Sequence, residues 1–255
     1  MPSSKAKSSK SKAKPASASV AATVSKPIMF GGDISVGALL AEMLGTFALT
    51  AAVLVANGSP LIAGMVVLVM VVAFGKISGG HFNPAVSLGL FFTRKLSAWR
   101  TAGYIVAQIL GAVLALMIVT KFITTGTPMF DQTTGATMTQ AYAVKVPAGE
   151  WEQFFAEALG ALIFGFGIGA IAYAKKEGLE AGFAAGVSLF IGLVVATLGS
   201  AAVLNPAVAL GVSAYNNNGW TWIAYALGPI VGMTVGIWLF KLMQWDAAER
   251  RSVKA

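Results

Sequence analysis

Six long stretches of the chain carry few or no charged positions, at about 36 to 56, 61 to 75, 101 to 120, 151 to 174, 181 to 198 and 220 to 240. A hydrocarbon core about 30 Å thick takes roughly 20 apolar residues of helix to cross, so the pattern predicts six membrane-spanning helices. The second stretch is short and ends at Lys76, whose aliphatic stem can reach toward the interface. Two briefer apolar runs, about 83 to 92 and 205 to 214, each follow a stretch read as glycine-rich and are too brief to cross a bilayer. They read as re-entrant half-helices. Residues 1 to 30, rich in Ser, Ala and Lys, lack apolar periodicity and read as a solvated tail. Their basic composition also fits a targeting peptide, but the apolar run that follows has full span length, which argues against cleavage.

The pattern repeats. Ala41-Glu42-Met43-Leu44-Gly45 recurs as Ala156-Glu157-Ala158-Leu159-Gly160, and Asn83-Pro84-Ala85-Val86-Ser87-Leu88-Gly89 recurs as Asn205-Pro206-Ala207-Val208-Ala209-Leu210-Gly211. Tyr104 and Gly111 match Tyr225 and Gly232. The offsets are 115, 122 and 121 residues, so order is kept while loop lengths drift. Three spans per half is odd, so the second half enters the membrane from the opposite face, giving an inverted-topology repeat. The expected layout is a tail (1–30), a first repeat (31–121, half-helix 83–92), a connecting extracytoplasmic loop (122–150), a second repeat (151–244, half-helix 205–214) and a C-terminal tail (245–255).

Composition narrows the class. Of 255 residues, 56% are hydrophobic and only 11% charged, against about 25% charged in soluble domains. An all-α membrane protein remains. The net charge of +8 resides mostly in the first 30 residues, which hold six lysines and no acid. The high pI therefore says little about binding to nucleic acid, which is not expected as a partner. With both termini cytoplasmic, sixteen of the eighteen basic residues lie inside, leaving Lys121 and Lys145 outside. There is no cysteine and one histidine, His81, so thiolate sites and metal sites needing two imidazoles are excluded. Neither an enzyme, nor a cofactor, nor a metal is expected.

The paired Asn-Pro motifs carry the chemistry. Asn is a strong N-cap and Pro is favoured at the first helical position, so each half-helix begins abruptly at its Asn. In an inverted repeat the two N-termini face each other near the midplane, and their free N–H groups and positive dipole ends point into one shared space. That space favours electron-rich oxygen and opposes cations. The amides of Asn83 and Asn205 can donate to a passing water or hydroxyl; the plainer alternative is that both are ordinary caps of broken helices.

With these residues in place, the sequence resembles the major intrinsic protein (aquaporin and glycerol facilitator) family over about residues 36 to 242. The matching residues are Ser78-Gly79-Gly80-His81-Phe82-Asn83-Pro84-Ala85-Val86, Asn205-Pro206-Ala207, the two Ala-Glu-x-Leu-Gly stretches, Ala107-Gln108 with Gly111, and Gly228-Pro229 with Gly232. The resemblance implies six helices and two half-helices around one pore per protomer, usually four protomers to an assembly. Such pores conduct water or small uncharged solutes without energy input. Glu42 and Glu157 lie inside apolar spans, where a carboxylate needs partners. No lysine is placed opposite, so they are expected to accept from backbone N–H groups of the re-entrant loops, as the resemblance also implies; the alternative is a proton-relay pair. His81 reads as a loop anchor rather than a gate.

The sequence also departs from the family. Three residues after the second Asn, where members usually carry Arg, stands Val208. Counting carries the other constriction positions onto Ala63, Leu193 and Ala202, all small or aliphatic. The expectation is a wide, apolar constriction that leaves more of the selection to the Asn83 and Asn205 region. Ala209 replaces the Asp of glycerol-type members, and Ala226 replaces the Trp that usually follows the aromatic of water-type members, kept here as Tyr225. The reading is a passive channel for water and small neutral solutes, in contact with membrane lipid and assembled as a homotetramer. Two rivals remain: a secondary active transporter on the same kind of scaffold, and a non-conducting membrane-organising protein.

Overall fold

A computed structural model describes residues 33–125, 129–130, 137–138, 149–215 and 219–253. The N-terminal lysine tail and most of the connecting loop lie outside the described residues. The first half contains α1 (Val36–Val55), α2 (Pro60–Ser78), α3 (Pro84–Phe92) and α4 (Ala98–Thr125). Two-residue strands β1 (Met129–Phe130) and β2 (Thr137–Met138) then pair antiparallel. The second half contains α5 (Glu150–Ala174), α6 (Gly178–Ala196), α7 (Pro206–Gly211), α8 (Gly219–Trp222), a π-helical turn (Ile223–Leu227) and α9 (Gly228–Val253). Among the described residues, six helices are long and apolar enough to cross a membrane, the sixth running from Gly219 through the π turn to Asp246.

The element bounds differ from expectation where local chemistry intervenes. Pro60 starts α2 at its first position and Gly79, at φ 103°, ends it, giving 19 residues rather than a short span. The second half-helix, α7, stops at Gly211 instead of 214, with Ser213 in a left-handed conformation. α9 runs to Val253, past the boundary at 244, because Ala, Glu and Arg in 247–251 favour helix. The π turn precedes Pro229, which has no N–H to offer the Tyr225 carbonyl one turn earlier. That carbonyl accepts instead from the Tyr215 hydroxyl (3.2 Å).

Packing follows the repeat. α1 lies along α4, α5 along α9, and α2 along α6 across the centre. The half-helices trade partners: α3 packs most extensively on α9, and α7 on α4. Close approach of the paired spans depends on absent side chains. A Cβ on Gly111 would collide with the Met43 carbonyl oxygen, and one on the equivalent Gly232 would collide with that of Ala158. Large apolar side chains such as Val106, Leu110, Met117 and Phe183 face outward. A water-facing surface would make that costly, whereas lipid accepts it.

Candidate pore

Each half builds its re-entrant loop on one buried glutamate. Glu42 Oε1 accepts from the Ser78 hydroxyl (2.6 Å) and the His81 N–H (3.0 Å). Its Oε2 accepts from the Phe82 N–H (2.7 Å) and Gln108 Nε2 (2.7 Å). In the second half Glu157 Oε1 accepts from the Ser200 hydroxyl (2.7 Å) and the Val203 N–H (2.9 Å), and Oε2 from the Leu204 N–H (2.7 Å). Both carboxylates are fully buried. The serine hydroxyls add a second tie, accepting from the N–H of Gly80 (3.0 Å) and Ala202 (3.0 Å). Charge-assisted bonds of this kind fix a loop that would otherwise leave backbone donors unsatisfied in an apolar interior.

The ties hold two residues in an unusual backbone state. Phe82 (φ 50°) and Leu204 (φ 54°) are left-handed although neither is glycine, a strain of about 1–3 kcal/mol each that surrounding contacts must outweigh. They do so from both sides. The N–H of each is bound by its glutamate, and the carbonyl of each accepts from the asparagine of the opposite half. Asn205 Nδ2 donates to the Phe82 carbonyl (2.9 Å) and Asn83 Nδ2 to the Leu204 carbonyl (2.9 Å). Asn83 Oδ1 caps α3 by accepting from the Ala85 N–H (2.8 Å); Asn205 Oδ1 caps α7 by accepting from Ala207 (3.0 Å) and Val208 (3.2 Å). Pro84 and Pro206 stand at the first position of each half-helix. The half-helices therefore meet tip to tip. A primary amide has two N–H groups, so each asparagine spends one on the cross-link and keeps one.

Cavities open on both sides of this junction. The smaller, about 30 Å³, is lined by Ala63, Leu193, Ala202 and Val208 together with Asn83, Asn205 and His81; the reading of both termini as cytoplasmic would make it the outer one. At about 10–15 Å³ of centre space per water, it holds roughly two. Its remaining walls, including Val67, Phe164, Leu189 and Val212, are apolar. The larger, a vestibule of about 370 Å³ that the same reading would make the inner one, is lined by His81, Ser78, Gly79, Gly80, Ile168 and the cations Lys76, Lys95 and Arg100, among others. His81 borders both spaces. Its Nδ1 lies 3.1 Å from the Ser87 hydroxyl and its ring stands edge-on to Tyr104 at 5.2 Å.

The four positions named from spacing thus line one cavity, together with Asn83 and Asn205, the first residues of the two Asn-Pro-Ala motifs. How wide that opening is depends on backbone spacing, set in part by glycines that let the helices approach, as well as on these small side chains. What residue-by-residue reading missed is the pair of acceptors, Phe82 and Leu204, and the serine props. A signal was present, because Ser78 and Ser200 keep the same 122-residue offset as the asparagines. Among the described residues there is no cluster of His, Cys, Asp or Glu suited to hold a metal.

Comparison with known proteins agrees with this geometry. Residues 35–240 match the family model described as major intrinsic protein. A glycerol uptake facilitator protein-like 6 of Lactiplantibacillus plantarum is 33% identical, over 80% of this chain and 96% of its own length. An aquaporin Z of Photorhabdus laumondii is 32% identical, over 80% and 96%. The solved aquaglyceroporin of Plasmodium falciparum superposes with a TM-score of 0.64 at 22% identity, covering 80% of this chain and 95% of that one, which shows the shared fold. The chain is a multi-pass membrane protein that belongs to the major intrinsic protein family.

Proposed function

We propose that the protein is a passive transmembrane channel for water and small uncharged solutes, with one pore in each protomer. The observation that carries this reading is the reciprocal cross-link of Asn83 to Leu204 and Asn205 to Phe82, at 2.9 Å each, with a cavity on either side of it. Only an opening between two capped helix tips offers permeant oxygen a fixed donor from both halves. Asn83 and Asn205 orient the permeant, and Ala63, Leu193, Ala202 and Val208 form the narrowest segment. Glu42, Glu157 and His81 hold the loops. The protein does no chemistry. Both termini are cytoplasmic, as the distribution of basic residues favours, and four copies associate through apolar outer faces, as is usual in the family.

The test is stopped-flow light scattering of proteoliposomes under sorbitol, glycerol and urea gradients. Osmotic shrinkage faster than in empty vesicles, unchanged by imposed ion gradients, is the expected result. No acceleration would refute the channel and favour a membrane-organising scaffold; flux that follows an ion gradient would favour a coupled transporter.

A further inference from the structure

Val208 leaves the constriction without a fixed charge, and the residues lining that cavity include no Asp, Glu, Lys or Arg. The inner vestibule is its electrostatic opposite. Lys76, Lys95 and Arg100 line it, and none of the residues lining it is a carboxylate. Two of the three cations are held in place. Arg100 Nε donates to the Tyr104 hydroxyl (3.0 Å), its terminal nitrogen reaches the Ser78 carbonyl (3.4 Å), and the guanidinium stands 5.4 Å from the Tyr104 ring centre. Lys95 Nζ sits 4.1 Å from the Tyr173 ring centre, and that ring is tethered through its hydroxyl to the Thr93 carbonyl (3.0 Å). Lys241 approaches the same ring at 6.0 Å. Lys76 lies in the last turn of α2, where a cation complements the helix dipole.

Nearby acids do not cancel this charge. Glu180 is paired with Lys176 (2.6 Å); Asp33, which accepts from Ser97 (3.0 Å), keeps its charge but is not among the lining residues and offsets at most one of the three. Glu177 and Asp246 are not among the lining residues. Glu42 lies behind the wall with both oxygens occupied by four donors, and it offsets at most one of the three charges.

We propose that Lys76, Lys95 and Arg100 form a cation-repelling filter in the inner vestibule, which supplies the exclusion of hydronium and other monovalent cations that the uncharged constriction lacks. The proposal rests on the channel reading above. Lys76 and Lys95 are exposed and Arg100 is half-buried, so their field acts through solvent at the mouth of the path; fixed charges of one sign there still raise the local potential and deplete like-charged ions, while neutral solutes pass. The field is screened by salt, with a Debye length of about 30 Å at 0.01 M and about 3 Å at 1 M.

The full-length protein in proteoliposomes tests it with two readouts on the same vesicles: osmotic water permeability, and proton flux from an internal pH dye under a valinomycin-set potential. Lys76→Glu and Lys95→Glu should each raise the ratio of proton to water flux about fivefold, and the double variant about twentyfold. Lys76→Arg should leave the ratio at the wild-type value, and Val208→Arg added to the double variant should lower it. In the unmodified protein, raising an impermeant electrolyte from about 0.01 M to about 1 M should increase proton flux relative to water flux. A double variant that conducts water with the wild-type ratio overturns the filter. So does an unmodified channel whose proton flux ignores salt, a measurement that needs no variant to fold. Absent water flow in the unmodified protein instead overturns the channel reading itself.

Discussion

Replacing Glu157 by Gln isolates what the buried carboxylate does for the second re-entrant loop. The native side chain accepts three bonds, from Ser200 and Val203 at one oxygen and from Leu204 at the other. The amide keeps one acceptor oxygen for the first two and turns an NH2 group toward the Leu204 N–H, so a charge-assisted bond becomes two opposed donors. Hydrogen bonds to charged groups contribute about 1.5–3 kcal/mol and an orphaned buried donor costs about 1–3 kcal/mol. A loss of roughly 2–4 kcal/mol follows, and at about 2–4 °C per kcal/mol for a chain of this size the melting temperature falls by roughly 5–15 °C. Glu157→Ala orphans all three donors and costs more, about 3–9 kcal/mol. The effect is not confined to stability, because Leu204 carries the carbonyl that anchors Asn83 (2.9 Å). Water permeability per folded protein should therefore fall in Glu157→Gln. Thermal unfolding in detergent, followed by tryptophan fluorescence, and stopped-flow shrinkage of proteoliposomes together check it. A Gln variant that melts with the wild type and conducts as fast would refute the reasoning, as would equal losses for Gln and Ala.

Three further outcomes are expected. Ser200→Ala should destabilise more than Ser78→Ala, since Glu42 retains Gln108 as a fourth donor while Glu157 has no such reserve; the difference in melting temperature reads this directly. Val208→Arg should narrow an already small outer cavity and reduce glycerol and urea permeability about tenfold relative to water, measured in the same vesicles. Gly232→Leu should abolish accumulation of folded protein, because even a Cβ there meets the Ala158 carbonyl oxygen, whereas Gly219→Ala, where nothing lies within 4 Å of the added carbon, should be tolerated; size-exclusion profiles distinguish them.

The spans, the repeat and the asparagine pair were legible in the sequence because each rests on a local rule. Apolar length marks a span, and Asn-Pro marks an abrupt helix start; both copies of the motif carry it. The need of Glu42 and Glu157 for backbone donors followed from the cost of a bare carboxylate in hydrocarbon. The identity of those donors did not, since it depends on how two loops cross. Phe82 and Leu204 look like ordinary apolar residues, and only the left-handed turn at each reveals that their carbonyls, not their side chains, make the cross-link. Pore width is not legible in the sequence for a related reason. Side-chain size at Ala63 and Ala202 says little when the backbone spacing is set elsewhere, by glycines such as Gly64 and Gly186 whose neighbours leave no room for a Cβ.

The two halves have kept the same scaffold while diverging in what surrounds it. Behind the first loop, Gln108 bridges Glu42 and the Ser87 hydroxyl, and His81 contacts the same hydroxyl; the vestibule on that side is lined by Ser78, His81 and three cations. At the equivalent positions of the second half stand Pro229, Ala209 and Val203. Pro229 has no donor to give Glu157, and neither Ala209 nor Val203 has a polar side chain. The smaller cavity on that side is mostly apolar. A permeant crossing such a path loses side-chain hydrogen bonding on one side of the asparagines and retains it on the other. The discriminating step for neutral solutes then belongs to desolvation in the aliphatic outer segment, where every hydroxyl that finds no backbone carbonyl or asparagine N–H adds cost. Selection against charge is shared between the facing half-helix tips, whose positive dipole ends oppose cations, and the basic vestibule beyond them. Separating the two tasks along the path lets the constriction lose its arginine without leaving the pore open to cations.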